Sequence, residues 1–270
     1  MTQPSTGTSW TAGGFGHVHK PTVERGGLQA VLIRDNRGSL TDMSPFSDGA
    51  ATTVNFSPFA VDGQLRSDLF ARRLQGGKLI MNPGANEGWW QIGAQTEDGG
   101  AERNPNTKSD DLKVLQSKFP VDSDVIEKGK TIKFTGVQTA DPLIHRLESE
   151  LRLADDNGDS LVPDLGGANY GTGSVLDADS PEYQLLLLFA RRTSGGMIYR
   201  AEGYPAVKLD DQGSKKRTKT DPDTAELTYK VLPNEYFMIP DPNGSGVLVP
   251  GFDYVWYSGP GWEDQAPDGS

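Results

Sequence analysis

The residues that could do chemistry in this chain are few, and each group falls short of a site. Glu127-Lys128-Gly129-Lys130-Thr131 resembles the end of a phosphate-binding loop, but Asp124 stands where that pattern places its first glycine. The run also leads into a strand pattern, not into a helix whose N-terminus would hold phosphate. Asp155, Asn157 and Asp159 mimic the start of a calcium loop. Ser160 replaces the glycine required at the sixth position and Gly166 the glutamate at the twelfth, so the stretch reads as a surface turn. The three histidines are His17, His19 and His145. His17 and His19 share a face if extended and could chelate a metal with a carboxylate from elsewhere, but no partner motif accompanies them. His145 falls on the polar side of a predicted helix, in solvent.

Other chemistries are excluded or left open by composition. There is no Gly-x-Ser-x-Gly elbow. The absence of cysteine removes disulfides, thiolate metal sites and thiol nucleophiles. Paired acids for glycoside cleavage stay open, because such pairing is spatial and 37 acids are present. Lys215-Lys216-Arg217-Thr218-Lys219 could touch phosphate or an acidic neighbour, with a solvated hairpin tip as the default. The net charge of −11 argues against a groove that grips nucleic acid, since phosphate neutralisation needs clustered cations. No catalytic, cofactor-binding or metal-ligating residue is assigned, and no cofactor is expected.

The elements that would position any site begin with the stretch from Lys130 to Leu153. Lys130 to Val137 alternates as a strand, with Ile132, Phe134 and Gly136 on one face. A helix follows, with Asp141 as N-cap and Pro142 at the first position. Leu143, Ile144, Leu147 and Leu151 recur at helical spacing and are expected to dock the helix on a sheet. Their burial contributes roughly 6–12 kcal/mol as an upper estimate. Glu148 and Arg152 stand four apart in the favoured order for a helical ion pair.

Elsewhere, 33 glycines and 18 prolines punctuate short strands and long loops. Strands are expected at 28–34, 52–59, 112–121, 183–192, 197–209, 224–232 and 252–257, and helical turns at 67–74. Strand 183–192 is apolar on both faces, as in a central strand covered on two sides. Strand 224–232 alternates most clearly, with Ala225, Leu227, Tyr229 and Val231 inward. Trp89 and Trp90 are adjacent on a strand and point to opposite faces. Gln95 to Asp111 is polar and proline-containing, which predicts a long mobile loop. Residues 1–26 read as an arm, 27–250 as one β domain, and 251–270 as a C-terminal strand and tail. The fold class is mainly β: a β-sandwich or flattened barrel with one flanking helix, long loops and terminal arms. No apolar run spans a bilayer and no signal pattern opens the chain, so a soluble protein made in the cytoplasm is expected.

The order of these motifs resembles the major tail proteins of long-tailed, non-contractile bacteriophages, the actinobacteriophage members in particular. The resemblance is carried by Trp89, Gly93, Asp98 and Gly99 in a Trp-x-x-x-Gly strand ending in Asp-Gly, and by Lys130, Thr131, Ile132 and Phe134 before the helix. The later RAEGYPAVKLDD, DTAELTYKVLPN and closing GPGW add to it, so it runs from about Val54 to Trp262. It implies a structural virion protein and no enzyme. Hexameric rings would stack into a tail tube through which DNA passes without specific binding. Partners would be further copies of the chain and the tape measure, baseplate and terminator proteins, in the phage tail after assembly in the host cytoplasm. On that reading Glu202 and Glu226 are candidates for the lumen. Trp89, Trp90, Lys215, Lys216, Arg217 and Lys219 are candidates for inter-subunit contact. Rival readings are a secreted carbohydrate-binding or hydrolytic β-sandwich, which the tryptophan pair would suit, or another ring-forming tail part such as a terminator or baseplate protein.

Overall fold

The computed structural model describes residues 27–49, 52–84, 87–96, 100–112, 122–166, 169–176, 179–215, 219–220 and 222–265. These form β1 (Leu28–Asp35), β2 (Arg72–Gln75), β3 (Lys78–Met81), β4 (Trp90–Gln91), β5 (Glu102–Leu112) and β6 (Asp122–Gly136), then helix α1 (Pro142–Glu148). After it come β7 (Tyr183–Thr193), β8 (Gly196–Gln212), β9 (Ala225–Val231), β10 (Met238–Pro240), β11 (Leu248–Pro250), β12 (Tyr254–Ser258) and helix α2 (Pro260–Glu263). The fold is mainly β, as expected.

One antiparallel sheet in the order β4-β1-β7-β8-β9-β6-β5, with β12 also on β8, organises the molecule. It closes on itself through the segment after β4. The Ile92 N–H donates to the Val31 carbonyl, Gln95 bridges Gly136, and the Val137 N–H donates to the Ala94 carbonyl. The barrel so formed encloses Val31, Ile33, Leu185, Leu187, Leu227, Tyr229, Ile132 and Phe134. Helix α1 seats Leu143, Ile144 and Leu147, all without exposed surface, in the same core. Its start is as read from the sequence, with the Asp141 carboxylate accepting from the Leu143 N–H at 2.9 Å and Pro142 at the first position.

A second core lies on the outside of the barrel. Ala30, Leu32, Leu186, Leu188 and Ala201 point outward from β1, β7 and β8. Met43, Phe56, Phe59, Leu69, Trp89, Phe237 and Trp256 cover them, mostly from irregular chain. Strand β7 is therefore buried on both faces, which is why its sequence shows no alternation.

Several local expectations are corrected. Residues 52–59 form no strand beyond a bridge between Phe59 and Leu65; Phe56 and Phe59, three apart, both turn down onto the second core. No helix forms at 67–74: Leu69 is buried, Leu74 is exposed, and Arg72–Gln75 pairs with Lys78–Met81. Gly76 and Gly77, both at positive φ, make the two-residue turn that joins them. The helix ends at Glu148, where Glu150 takes a φ of 53°, so Leu151 is off the helix and only half-buried. Leu153 fills the core in its place. With that turn the expected Glu148–Arg152 pair is lost; Glu148 pairs with Lys215 and Arg152 with Asp156. The strand expected at 112–121 lies almost wholly outside the described residues. The closing tail carries α2, whose Trp262 stacks on Tyr257 at 4.5 Å.

The largest correction concerns 102–111, which is strand β5 and not a loop. It pairs along its whole length with β6. Strand β6 meets β9 only from Thr131 to Gly136. Beyond Lys130 the hairpin therefore continues as a two-stranded arm. A ribbon in water on both faces carries no apolar alternation, so its sequence reads as loop.

Candidate functional site

The structure scatters the site residues suggested by the sequence. Trp89 and Trp90 do point to opposite faces, one into each core, at 0% and 4% exposure. That corrects their assignment to a subunit contact, because neither has surface to offer. Lys215 is held by Glu148, Lys219 is exposed, and Lys216 and Arg217 lie outside the described residues. His17 and His19 also lie outside them, and His145 stacks on Tyr170 with centroids 5.9 Å apart. The Asp155 carboxylate turns inward to accept from the Asn157 and Asp159 N–H groups, as a surface turn requires.

Glu202 and Glu226 lie on opposite faces of the sheet, so they do not form one acidic wall. Glu202 shares its face with Tyr204, at one mouth of the barrel. It pairs with Arg200 at 3.2 Å and accepts the Tyr204 hydroxyl at 3.0 Å. Burial raises the Tyr204 hydroxyl above its ordinary range, which keeps it a donor. Beside them Lys130 pairs with Asp253, tying the root of the arm to the approach to β12.

Glu226 lies on the outer face of β9 and β6, between the buried Ala225 and Leu227. The registers align Thr131 with Lys230, Lys133 with Thr228, and Thr135 with Glu226. All six side chains point away from the barrel, and nothing apolar is among them. Lys133 pairs with Glu226 at 2.9 Å, a hydrogen bond that raises its pKa, and Glu102 and Asp211 act in the same direction. The surface is polar, rich in threonine and of balanced charge. Such a face attracts water and gives phosphates no cluster of cations to grip.

A buried charge network stands at the far end of β1. Arg34 donates to the Gln184 side chain at 2.8 Å, to the Thr41 carbonyl at 2.9 Å, and to the carboxylate and carbonyl of Glu87. Its guanidinium lies 4.5 Å from the ring centroid of Trp89. Burial lowers its pKa to about 10, still cationic at neutral pH. Asp35 accepts from the Leu153 and Ala154 N–H groups at 2.8 and 2.7 Å, pinning the chain that leaves α1. A cleft of about 240 Å³ opens beside them, lined in part by Trp90, Gly158 and Ser160. Of its charged groups, Arg34, Asp35 and Glu87 hold loops to the barrel. Among the described residues no group of three His, Cys, Asp or Glu side chains could hold a metal, and no helix is long and apolar enough to cross a membrane.

No protein-family model matches this chain, and no curated protein matches it.

Several residues behind the tail-protein resemblance have structural work in this fold, while Asp98 and Gly99 lie outside the described residues. A side chain at Gly93, which sits at φ 93°, would collide with Gln138. Ile132 and Phe134 fill the barrel, and Lys130 makes the ion pair at its mouth. Two features escape sequence reasoning. The arm gives no periodic signal, whereas the second core leaves one, in the outward apolar residues of 28–34 that alternate with inward ones.

Proposed function

We propose that this chain is a structural virion protein of a long-tailed bacteriophage, whose copies join into hexameric rings that stack into the tail tube. The observation that carries this reading is the β5–β6 arm. Residues 102–110 are exposed along it, and past Lys130 no third strand among the described residues supports it. A two-stranded ribbon with both faces in water is marginal on its own, so an arm of this length is suited to lying against another copy. The bare threonine-rich face of β9 and β6 suits a lumen wall past which DNA moves without sticking. Glu226 then belongs to that wall, and Glu202 to the barrel mouth. The rings would take the tape measure, baseplate and terminator proteins as further partners.

Negative-stain imaging of the purified protein tests the reading. Stacked rings or tubes are expected as concentration rises. Monomers alone at every concentration, or single closed rings that never stack, would overturn it. No observation favours the carbohydrate-binding alternative, since both tryptophans that would form a sugar platform are buried.

A further inference from the structure

We infer that the half-buried guanidinium of Arg37, set in the wall between two clefts at the far end of β1, is a receptor for a carboxylate. The inference goes beyond the tube reading and does not rest on it. Arg37 follows the end of β1 by two residues, and its backbone is fixed on both sides. Its N–H donates to the Thr41 hydroxyl at 2.8 Å, and its carbonyl accepts from the Leu40 N–H at 3.3 Å. Its side chain lies over Gly158, where a Cβ would stand 2.8 Å from Nη1. Arg37 lines the cleft of about 240 Å³ described above and also a wider one of about 420 Å³, which Asn55 and Arg66 help to form. Among the described residues its side chain makes no hydrogen bond and no ion pair. A positioned planar fork of N–H donors therefore stands unused.

The groups around it call for a ligand that accepts hydrogen bonds. Asp35 accepts from the Leu153 and Ala154 N–H groups, and Asp42 from Ser44 and Thr52. Glu87 is shared by Arg34 and Arg66, and Arg66 is also forked on Asp68 at 2.9 and 2.8 Å. Of the three arginines on the wider cleft, Arg37 alone has no acceptor. The Asn55 amide, on the same wall, makes no hydrogen bond among the described residues. Burial is the main force lowering the Arg34 pKa, and the like charges of Arg37 and Arg66 add to it. An anion at Arg37 would offset that repulsion. A carboxylate fits better than a phosphate, because two coplanar oxygens and one negative charge match one free guanidinium fork. A phosphate brings a charge of about −1.5 to −2, and the bonds of Arg34 and Arg66 are largely spent on Glu87 and Asp68.

Acetate is the probe, titrated into the isotope-labelled full chain against sodium chloride at constant ionic strength. One arginine Nε–H signal, the one missing in Arg37→Gln, should move saturably with acetate and stay still with chloride. The urea midpoint of the parent should rise over the same range, and Arg37→Gln should lack that acetate-specific rise. Arg37→Lys keeps the charge and loses the fork, so it should need about tenfold more acetate for the same rise. No saturable movement, or a response of Arg37→Lys equal to that of the parent, would overturn the inference. So would movement at a lower concentration of inorganic phosphate than of acetate, which would mark a phosphate site. Sedimentation of the parent with and without saturating acetate then separates the two sources of a carboxylate. Association weakened both by acetate and by Arg37→Gln would support an acidic side chain of a second copy. A saturable acetate response with association indifferent to both would support a free carboxylate. Neither result depends on whether the associated form is a tube.

Discussion

The outer surface of the barrel is built in two ways on one continuous sheet. Over β1, β7 and β8 the outward residues are Ala30, Leu32, Leu186, Leu188 and Ala201, and a layer of irregular chain lies on them. Over β9 and β6 they are Thr131, Lys133, Thr135, Glu226, Thr228 and Lys230, all at least partly exposed, and among the described residues no second core lies on that face. Backbone geometry is the same in both halves. The difference is energetic: fixing a loop residue costs about 1–2 kcal/mol of conformational entropy. Only apolar burial, at about 25 cal/mol per Å², offsets that over a long irregular segment. The apolar half recruits a cover, and the polar half cannot. One sheet thus provides an anchored outer layer and a clean wetted wall.

Breaking the anchored side at its charge network should have the largest effect. Arg34→Ala removes the guanidinium that joins Thr41, Gln184 and Glu87 beneath the cover. It should cost about 3–5 kcal/mol in urea unfolding, because Glu87 loses its most buried partner. A loss under about 1 kcal/mol would show that apolar contacts alone hold the cover.

A matched pair of substitutions sharpens the contrast between the halves. Leu186→Ala, beneath the cover, should cost about 2–5 kcal/mol. Thr228→Ala, on the bare face, should stay within about 0.5 kcal/mol of the parent. Equal costs would mean that the bare face is also packed against something in the free subunit.

A smaller effect is expected from pH at Asp35, which holds the chain beyond α1 to the barrel. Burial raises its pKa above the ordinary 3.8, and the Leu153 and Ala154 N–H groups oppose the shift in part. A raised folded pKa contributes stability that is full below the unfolded value and is lost as pH rises through the folded one. The stability advantage of the parent over Asp35→Asn should therefore shrink as pH rises above the ordinary carboxylate range, read as the difference in urea midpoints. An advantage that grows with pH would mean that the two N–H bonds outweigh burial.

The smallest effect on stability is expected at Glu226, on the wetted wall. If the proposed tail-tube function holds, Glu226→Lys should leave the unfolding midpoint and tube assembly unchanged, yet slow DNA ejection, with the defect easing as salt screens the new charge over about 8–10 Å. Normal ejection at low salt would remove this face from the lumen.

Legibility followed how far the deciding contacts lay along the chain. Helix α1 was read correctly at its start because Asp141 and Pro142 act on N–H groups within a turn. Its end was misplaced by one turn, because Leu151 has helical spacing but Leu153 reaches the core after the chain breaks at Glu150. The opposite orientation of Trp89 and Trp90 follows from adjacency on an extended chain. That both are buried does not, since each is covered by residues distant in sequence.

By itself the amino-acid sequence determined the mainly β class, the inner face of β6 and β9, the doubly buried β7 and the α1 cap. These depend on alternation and local hydrogen bonding, which neighbouring residues encode directly. Tertiary structure alone decided that the sheet closes through Ile92 to Gln95 and that 102–111 is a strand. It also decided that irregular chain forms a second core. Each of these depends on which backbone groups find partners across the fold, and a strand in water on both sides carries the same composition as a loop.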